Sequence, residues 1–379
     1  MTPTALIFCT VLLDLVGFGI VLPLLPSYAA QFHAGETEIG ILVASFSLMQ
    51  FLLAHWWGKL SDRVGRRPVL LVGLAGSSLS YLLFAFAGNF WVLLLSRLVA
   101  GAMGATVNVA QAYLADITTP ETRPKAMGLL GAAFGLGFVI GPGLAGVTST
   151  ISEHAPGLVA SGLTALNLVL AWWWLPESRD GTEAPKETTP FAWRHFAGPF
   201  AATACTTVAY TVLYVIFPLE VERTLGYTRH QASYLFVLLG LVAVVVQGGL
   251  IGRLVTRYGE RRLIRSGSLL MGVGLLCIPF AFRAGGSVAG VVLLYSGLLV
   301  TATGSSMVGP SAATLTSRLA TDGEQWRALG MLQSVGAMAR IGGPIMAGSV
   351  AAGFGSWVAF AVASATAGIA GIVGLAGTD

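Results

Sequence analysis

One carboxyl group stands alone in an apolar stretch. Asp14 lies in FCTVLLDLVGFGIVLPLLP, and of 17 Asp+Glu it is the only one deep inside such a run. In a membrane-spanning helix it would sit roughly 15 Å from the helix start, near the bilayer midplane. An acid there costs about 2.5–3.5 kcal/mol or more, so it must be neutral, paired or facing water. Burial favours the neutral acid, and water or a cationic ligand favours the carboxylate. The expected chemistry is therefore uptake and release of a proton in competition with a cargo. The bland reading is a structural acid paired with an arginine.

Two arginines also fall inside apolar runs. Arg97, Gly101, Gly104, Asn108 and Gln111 step by four and three residues, which predicts a narrow polar stripe on one helix face. Arg97 can stabilise an ionised Asp14 or hold a polar network. Thr10, Asp14 and Gly17 share a face expected to turn towards a cavity. Arg340 has no acid in its own half of the spans, and Gln333 lies on its face; it can meet an anionic or polar substrate group. Gln50, Gln247 and Asn167 are further polar candidates, each equally explained by hydrogen bonds between helices. Phe134, Phe138, Tyr210 and Tyr214, with Phe217, can make an apolar wall for a lipophilic substrate.

The elements that must position these residues follow from composition. The 379 residues are 55% hydrophobic and 10% charged, against about 25% charged in a soluble domain. A bilayer core needs roughly 20 apolar residues per helical span. Twelve such runs occur, at 4–26, 38–57, 69–88, 91–112, 125–149, 157–176, 197–218, 231–252, 262–282, 287–309, 327–350 and 356–377. The first has no basic flank and is too long for a cleaved signal. With the N-terminus inside, sixteen of the 21 Lys+Arg fall on inside links, three outside and two within spans. That bias predicts a multi-pass protein of the cytoplasmic (inner) membrane with both termini cytoplasmic. It also explains the net charge of +4 without nucleic acid. Cys9, Cys205 and Cys277 fall inside spans and read as packing residues.

The chain divides in two. Residues 176–196, PESRDGTEAPKETTPFAWRHF, form the longest polar link, so the expected domains are 1–176, a linker at 177–196, and 197–379. Residues 58–68, GKLSDRVGRRP, recur as GRLVTRYGERR at 252–262, with Gly58, Arg63, Gly65 and Arg67 matching Gly252, Arg257, Gly259 and Arg261. In the fifth and eleventh spans Gly128, Gly141, Pro142 and Gly146 match Gly330, Gly343, Pro344 and Gly348. The fold class expected is an all-α polytopic membrane protein of two pseudo-symmetric six-helix bundles, an arrangement used by secondary transporters. Gly58 and Gly65 supply turns in the link, Asp62 caps the next helix or faces another helix end, and Arg66 and Arg67 can pair with Asp116. Such pairs, with Arg63 beside them, form a cytoplasmic latch; a plain topology anchor is the alternative. Thr256 replaces Asp62 in the second copy, which reads as mostly an anchor. The helix-5 residues Gly137, Gly141, Pro142 and Gly146 predict a thin, bendable helix contacting the other half.

These motifs resemble the major facilitator superfamily, and within it the 12-helix drug:proton antiporters. The residues are GKLSDRVGRRP at 58–68, LLLSRLVAGAMG at 93–104, and Gly128, Gly137, Gly141, Pro142 and Gly146 of the helix-5 pattern GxxxxxxxxGxxxGPxxGG, where Ala145 replaces one glycine. The resemblance covers the whole chain and is closest to tetracycline-resistance efflux proteins, through TVLLDLVGFGIVLPLLP, GRRPVLL, YLADIT and FGLGFVIGP. It implies antiport, a proton path near Arg97, and Asp62 set against the eleventh helix. The chain departs from the tetracycline pumps in having Ser80 where they carry an acid in the third helix, and no acid in the ninth. Tetracycline itself is thus not implied.

The sequence has no phosphate-binding GxxxxGK[ST], no HExxH, no CxxC pair and no nucleophile elbow. The reading is therefore not an enzyme and needs no cofactor or metal. It is a proton-coupled exporter of small lipophilic drugs by alternating access, expected to work as a monomer in the bilayer. The alternatives are a proton-coupled transporter of a native metabolite, such as a sugar or siderophore, and a non-transporting membrane receptor on the same fold.

Overall fold

The computed structural model describes residues 2–104, 106–119, 122–178, 193–320 and 325–373. The polar link expected at 177–196 thus lies largely outside the described residues. Among those described there are helices and no strand. Twelve spans result if the bent seventh is counted once: α1 (Pro3–Gln31), α2 (Glu36–Val64), α3 (Arg66–Ala85), α4 (Phe90–Ile117), α5 (Ala126–Thr148), α6 (Ala155–Trp174), α7 (Ala197–Val215 with Phe217–Leu225, bent by 40°), α8 (Arg229–Tyr258), α9 (Glu260–Ala284), α10 (Val288–Leu319), α11 (Arg327–Phe354) and α12 (Ser356–Val373). In a bilayer only a helix satisfies its own backbone polar groups, which is why these apolar runs leave no other option.

Helix starts follow capping chemistry. Thr2, Asn89 and Ser287 accept hydrogen bonds from Ala5, Val92 and Gly290, the usual way of satisfying a first-turn N–H. The α2–α3 and α8–α9 links are each a single glycine. Gly65 has φ 103° and Gly259 φ 76°, a region that favours glycine. Gly58 lies inside α2 and makes no turn, contrary to expectation, because α2 runs on to Val64.

Contacts gather the chain into two units, Met1–Phe32 with Ser45–Lys186 and Arg229–Val237, and His33–Ala44 with Glu187–Thr228 and Leu238–Asp379. In the first, α1 packs on α5 and α6, and α3 on α4 and α6. The second repeats this scheme, with α7 on α11 and α12, and α9 on α10 and α12. The core of the first includes Val11, Leu70, Leu74, Tyr113 and Leu114. Glycine sets the closest approach: a Cβ on Gly141 would stand 2.6 Å from the Cα of Gly19, and one on Gly137 2.7 Å from the Cβ of Leu15. Both expected contacts with the other half are instead made to α1. A Cβ on Gly146 would stand 2.7 Å from Tyr234, in the stretch of α8 that gathers into the same unit, and one on Gly128 would enter open space.

Candidate functional site

Asp14 is partly exposed on α1. Its neighbours are fixed by a break in α4. The helix ends at Met103 with Gly104 as its cap and resumes at Thr106. Gln50 of α2 donates to the freed carbonyl of Gly104 at 2.9 Å, so this candidate cavity residue has a backbone to satisfy. The break places the buried hydroxyl of Thr106 beside the Asp14 carboxyl. The two adjoin without a closed hydrogen bond, since Thr106 Oγ1 makes none.

Thr10 and Gly17 do not face an opening with Asp14; both are buried. The carbonyl of Thr10 accepts from Asn167 of α6 at 2.8 Å, and a Cβ on Gly17 would stand 2.9 Å from the Tyr81 ring. What Asp14 shares with solvent it shares with Phe18, one turn on. Phe18 meets Phe46 at 5.0 Å and Phe138 at 6.2 Å between ring centroids. Phe18 and Phe46 were not candidates in the sequence; only their spacing from Asp14 and Gln50, four residues in each case, hints at them.

Arg97 is 2% exposed and does not pair with Asp14. Its guanidinium lies 6.0 Å from the centre of the Tyr81 ring and 5.6 Å from that of Phe84, within cation–π range. Nε donates to Ser96 at 3.3 Å, and Nη2 is buried without a partner. The Tyr81 hydroxyl is within electrostatic reach of both Asp14 and Arg97. Asp14, Tyr81 and Arg97 thus form a row across α1, α3 and α4, and Tyr81 is the member the sequence reading missed. Its neighbour Ser80, which drew attention through the family pattern, turns to its own helix and donates to the carbonyl of Ser77. The predicted stripe on α4 is divided by the break: Arg97 is buried, whereas Asn108 and Gln111 are exposed.

On the link between α2 and α3, Arg66 is the hub. It meets Asp62 at 2.7 Å, Asp116 at 3.1 Å and the hydroxyl of Ser61 at 2.7 Å. Arg67 does not reach Asp116; it donates to the carbonyl of Trp172. Nor does Asp62 cap α3. That role falls to Glu177, whose carboxylate accepts from the backbone N–H of Arg66 at 2.8 Å and of Arg67 at 3.2 Å. Two arginines at a positive helix end are unfavourable, and an acid there offsets them. Arg63 is exposed. At the matching place in the second copy, Glu260 meets Arg318 at 2.8 Å.

The opposite helix ends carry three further ion pairs. Arg223 meets Glu36 at 3.1 Å and Glu220 at 3.5 Å. Arg229 meets Glu153 at 3.5 Å and lies 5.4 Å from the Tyr28 ring centre. Their sequence signal was their rarity, as two of only three basic residues assigned to the outside.

In α11, Arg340 is exposed, as is Gln333. Tyr210 and Tyr214 of α7 meet edge to face at 5.4 Å. Gln247 is exposed on a π-helical turn of α8, and Phe134 is exposed. Among the described residues no three His, Cys, Asp or Glu side chains gather to hold a metal.

Twelve apolar spans in two packing schemes of the same design, with a glycine-turn link repeated after the second and eighth, define a membrane transporter fold. The sequence matches the Major Facilitator Superfamily over residues 7–201 and 199–377, and the chain belongs to that family. It is 34% identical to the tetracycline resistance protein, class C, of Escherichia coli, over 97% of this chain and 92% of that one. It is 28% identical to multidrug resistance protein 1 of Bacillus subtilis (strain 168), over 88% and 85%. Among solved structures, the human organic anion transporter MFSD10 (TETRAN) superposes with a TM-score of 0.71 at 24% identity, over 98% of each chain. A D-xylose-proton symporter superposes at 0.82 with 17% identity, over 99% of this chain and 97% of the other. Both structural likenesses speak to the fold.

Proposed function

We propose that this chain is a proton-coupled antiporter that exports small lipophilic aromatic compounds across the cytoplasmic membrane by alternating access. One observation carries the reading: Asp14, an acid within a membrane span, is partly exposed, adjoins Thr106, and has no basic side chain within ion-pair distance among the described residues. A carboxyl group so placed is free to gain and lose a proton, whereas one locked to an arginine is not. Phe18, Phe46 and Phe138 give the same helix face an apolar, aromatic neighbourhood for cargo. The relatives named for tetracycline and multidrug resistance support a drug as cargo.

In this reading Arg97, held against Tyr81, sets the field at the carboxyl group without neutralising it. The pairs around Arg66 latch the cytoplasmic end, and those of Arg223 and Arg229 latch the outer end. The glycines of α5 give the close, smooth contact with α1 and Tyr234 that a rocking motion needs. The cargo is driven by the proton gradient, worth about 2.3 kcal/mol per charge per 100 mV in its electrical part.

The test is a pH-jump transport assay in proteoliposomes against a drug panel, with Asp14→Asn in parallel. The wild type should accumulate drug on imposing the gradient. The variant should lose that response and still exchange labelled for unlabelled drug. Gradient-driven transport retained by Asp14→Asn would rule out the role of Asp14.

A further inference from the structure

The second unit holds an arginine that the proton chemistry does not use. Arg340 lies midway along α11 and is exposed there. A guanidinium facing hydrocarbon at that depth costs at least about 2.5–3.5 kcal/mol, so the exposed face must meet water. Among the described residues no carboxylate lies within ion-pair distance of it. Among the described residues Tyr214 of α7 is within electrostatic reach of it. Gly336, one turn earlier, leaves room for the head group to fold back: a Cβ there would stand 3.4 Å from Nη1.

The tyrosines are held in place. The bend of α7 at Ile216 interrupts the helix just beyond Tyr210 and Tyr214. Their rings stack edge to face, their hydroxyls lie within hydrogen-bonding reach of each other, and Ser305 of α10 adjoins Tyr210. The arrangement puts a fork of N–H donors near Tyr214, with the Tyr210 ring next to that tyrosine and a short chain of hydroxyls. A guanidinium fork binds planar oxyanions bidentately, and an aromatic edge accepts a flat ring system beside it.

We propose that Arg340, with Tyr214 and Tyr210, is a subsite for the acidic group of a planar aromatic substrate, such as a carboxylate, phenolate or enolate joined to a ring. This rests on the transport reading above and narrows its cargo from lipophilic aromatics in general to those bearing an anionic group. The sequence is consistent with the narrowing: the spans hold two deep arginines and one deep acid, so once Asp14 is protonated the intramembrane charge is positive.

The experiment uses two dyes of the same ring system and opposite charge, fluorescein (anionic) and rhodamine 123 (cationic). Binding to the full-length protein in detergent is read by fluorescence polarisation, with no gradient present. The expected result is tighter binding of fluorescein. Arg340→Gln should weaken fluorescein about thirtyfold and leave rhodamine 123 unchanged or tighter. Arg340→Lys should fall between, keeping the charge and losing the fork. Tyr214→Phe keeps the ring and should weaken fluorescein severalfold, which covers the case in which Arg340→Gln does not fold. Binding of neither dye, a preference for rhodamine 123, or an equal loss of both dyes in Arg340→Gln would overturn the subsite. Equal loss is what a merely structural arginine would give. Because no gradient is present, binding can follow this pattern while proton-driven transport fails, and the reverse, so the two proposals fall separately.

Discussion

Glu260 and Arg318 stand 2.8 Å apart at the positions that Arg66 and Asp116 occupy in the first half, so the ion pair is kept and its charges are exchanged. The helix dipole gives the exchange a direction. Glu260 opens α9, where an acid is favourable, and it is 7% exposed. Arg66 opens α3, where a cation is unfavourable, and Glu177 must be brought in from beyond α6. The second half thus does with one residue what the first does with two. Arg318 is 69% exposed, so the pair as such is worth no more than about 1 kcal/mol.

A charge-reversal series tests this. Glu260→Arg alone should slow transport, because a cation then faces Arg318 and a positive helix end. The double variant Glu260→Arg with Arg318→Asp rebuilds the first-half pair without a counterpart of Glu177. It should recover part of the rate and not all of it. Full recovery would show that the dipole contributes nothing.

Glu177→Gln removes the charge from the cap of α3 and leaves an acceptor. The expected loss is about 1 kcal/mol of stability, seen as a lower Tm in detergent, with drug binding intact. Asp62→Asn keeps that cap and loosens the ion pair to Arg66. It should leave Tm nearly unchanged and slow transport. If both variants changed Tm alike, the division of labour between Asp62 and Glu177 would be wrong.

Asp14, the repeated link and the helix count were legible in the sequence because each is a local signal: a charge in an apolar run, a glycine spacing, a run length. Tyr81, Glu177 and the Glu260–Arg318 pair were not. Tyr81 lies in a run of apolar residues where an aromatic usually packs, and only the crossing of α1, α3 and α4 gives it its neighbours. Glu177 acts across 111 positions. Glu260 and Arg318 look unlike Arg66 and Asp116 until their places are superposed, so a search for repeated residue types passes over them. The stripe on α4 failed for a different reason: helical periodicity assumes an unbroken helix, and Gly104 breaks this one.

Tyr81→Phe keeps the ring over Arg97 and against Gly17 and deletes the hydroxyl that lies within electrostatic reach of Asp14 and Arg97. The protein should fold and bind drug as before. Proton-driven uptake should fall about tenfold, the equivalent of about 1.4 kcal/mol at the barrier, and drug–drug exchange should be spared. Tyr81→Ala removes the cation–π contact as well and should lower Tm. An unaltered proton-driven rate in Tyr81→Phe would leave the tyrosine a packing residue.

Glu36→Gln and Arg229→Gln each weaken an ion pair at the helix ends expected to face outward. If these pairs hold the outer side shut, a cysteine placed at Thr37 should react faster with a membrane-impermeant maleimide in Glu36→Gln than in its parent. The gain should be a few-fold, because the pairs are partly solvated. Unchanged labelling would mean that the outer ends are held by helix packing alone.

Gly141 and Gly343 occupy matching places in α5 and α11 and meet different neighbours. A Cβ on Gly141 would stand 2.6 Å from the Cα and 2.7 Å from the carbonyl carbon of Gly19, so only a backbone shift of α1 or α5 accommodates it. A Cβ on Gly343 would meet first the Thr211 hydroxyl at 2.8 Å and methyl at 3.0 Å, and Val208 Cα at 3.1 Å. A side chain can rotate; a backbone atom cannot. Overpacking of this kind typically costs about 1–3 kcal/mol. Gly141→Ala should fall at the upper end and Gly343→Ala at the lower, measured as Tm in detergent. Gly141→Leu should stop transport altogether. Because α1 carries Asp14, a shift of α1 to admit the new side chain would also move the carboxyl group against Thr106, so Gly141→Ala should impair proton-driven uptake more than drug–drug exchange, while Gly343→Ala should affect both alike.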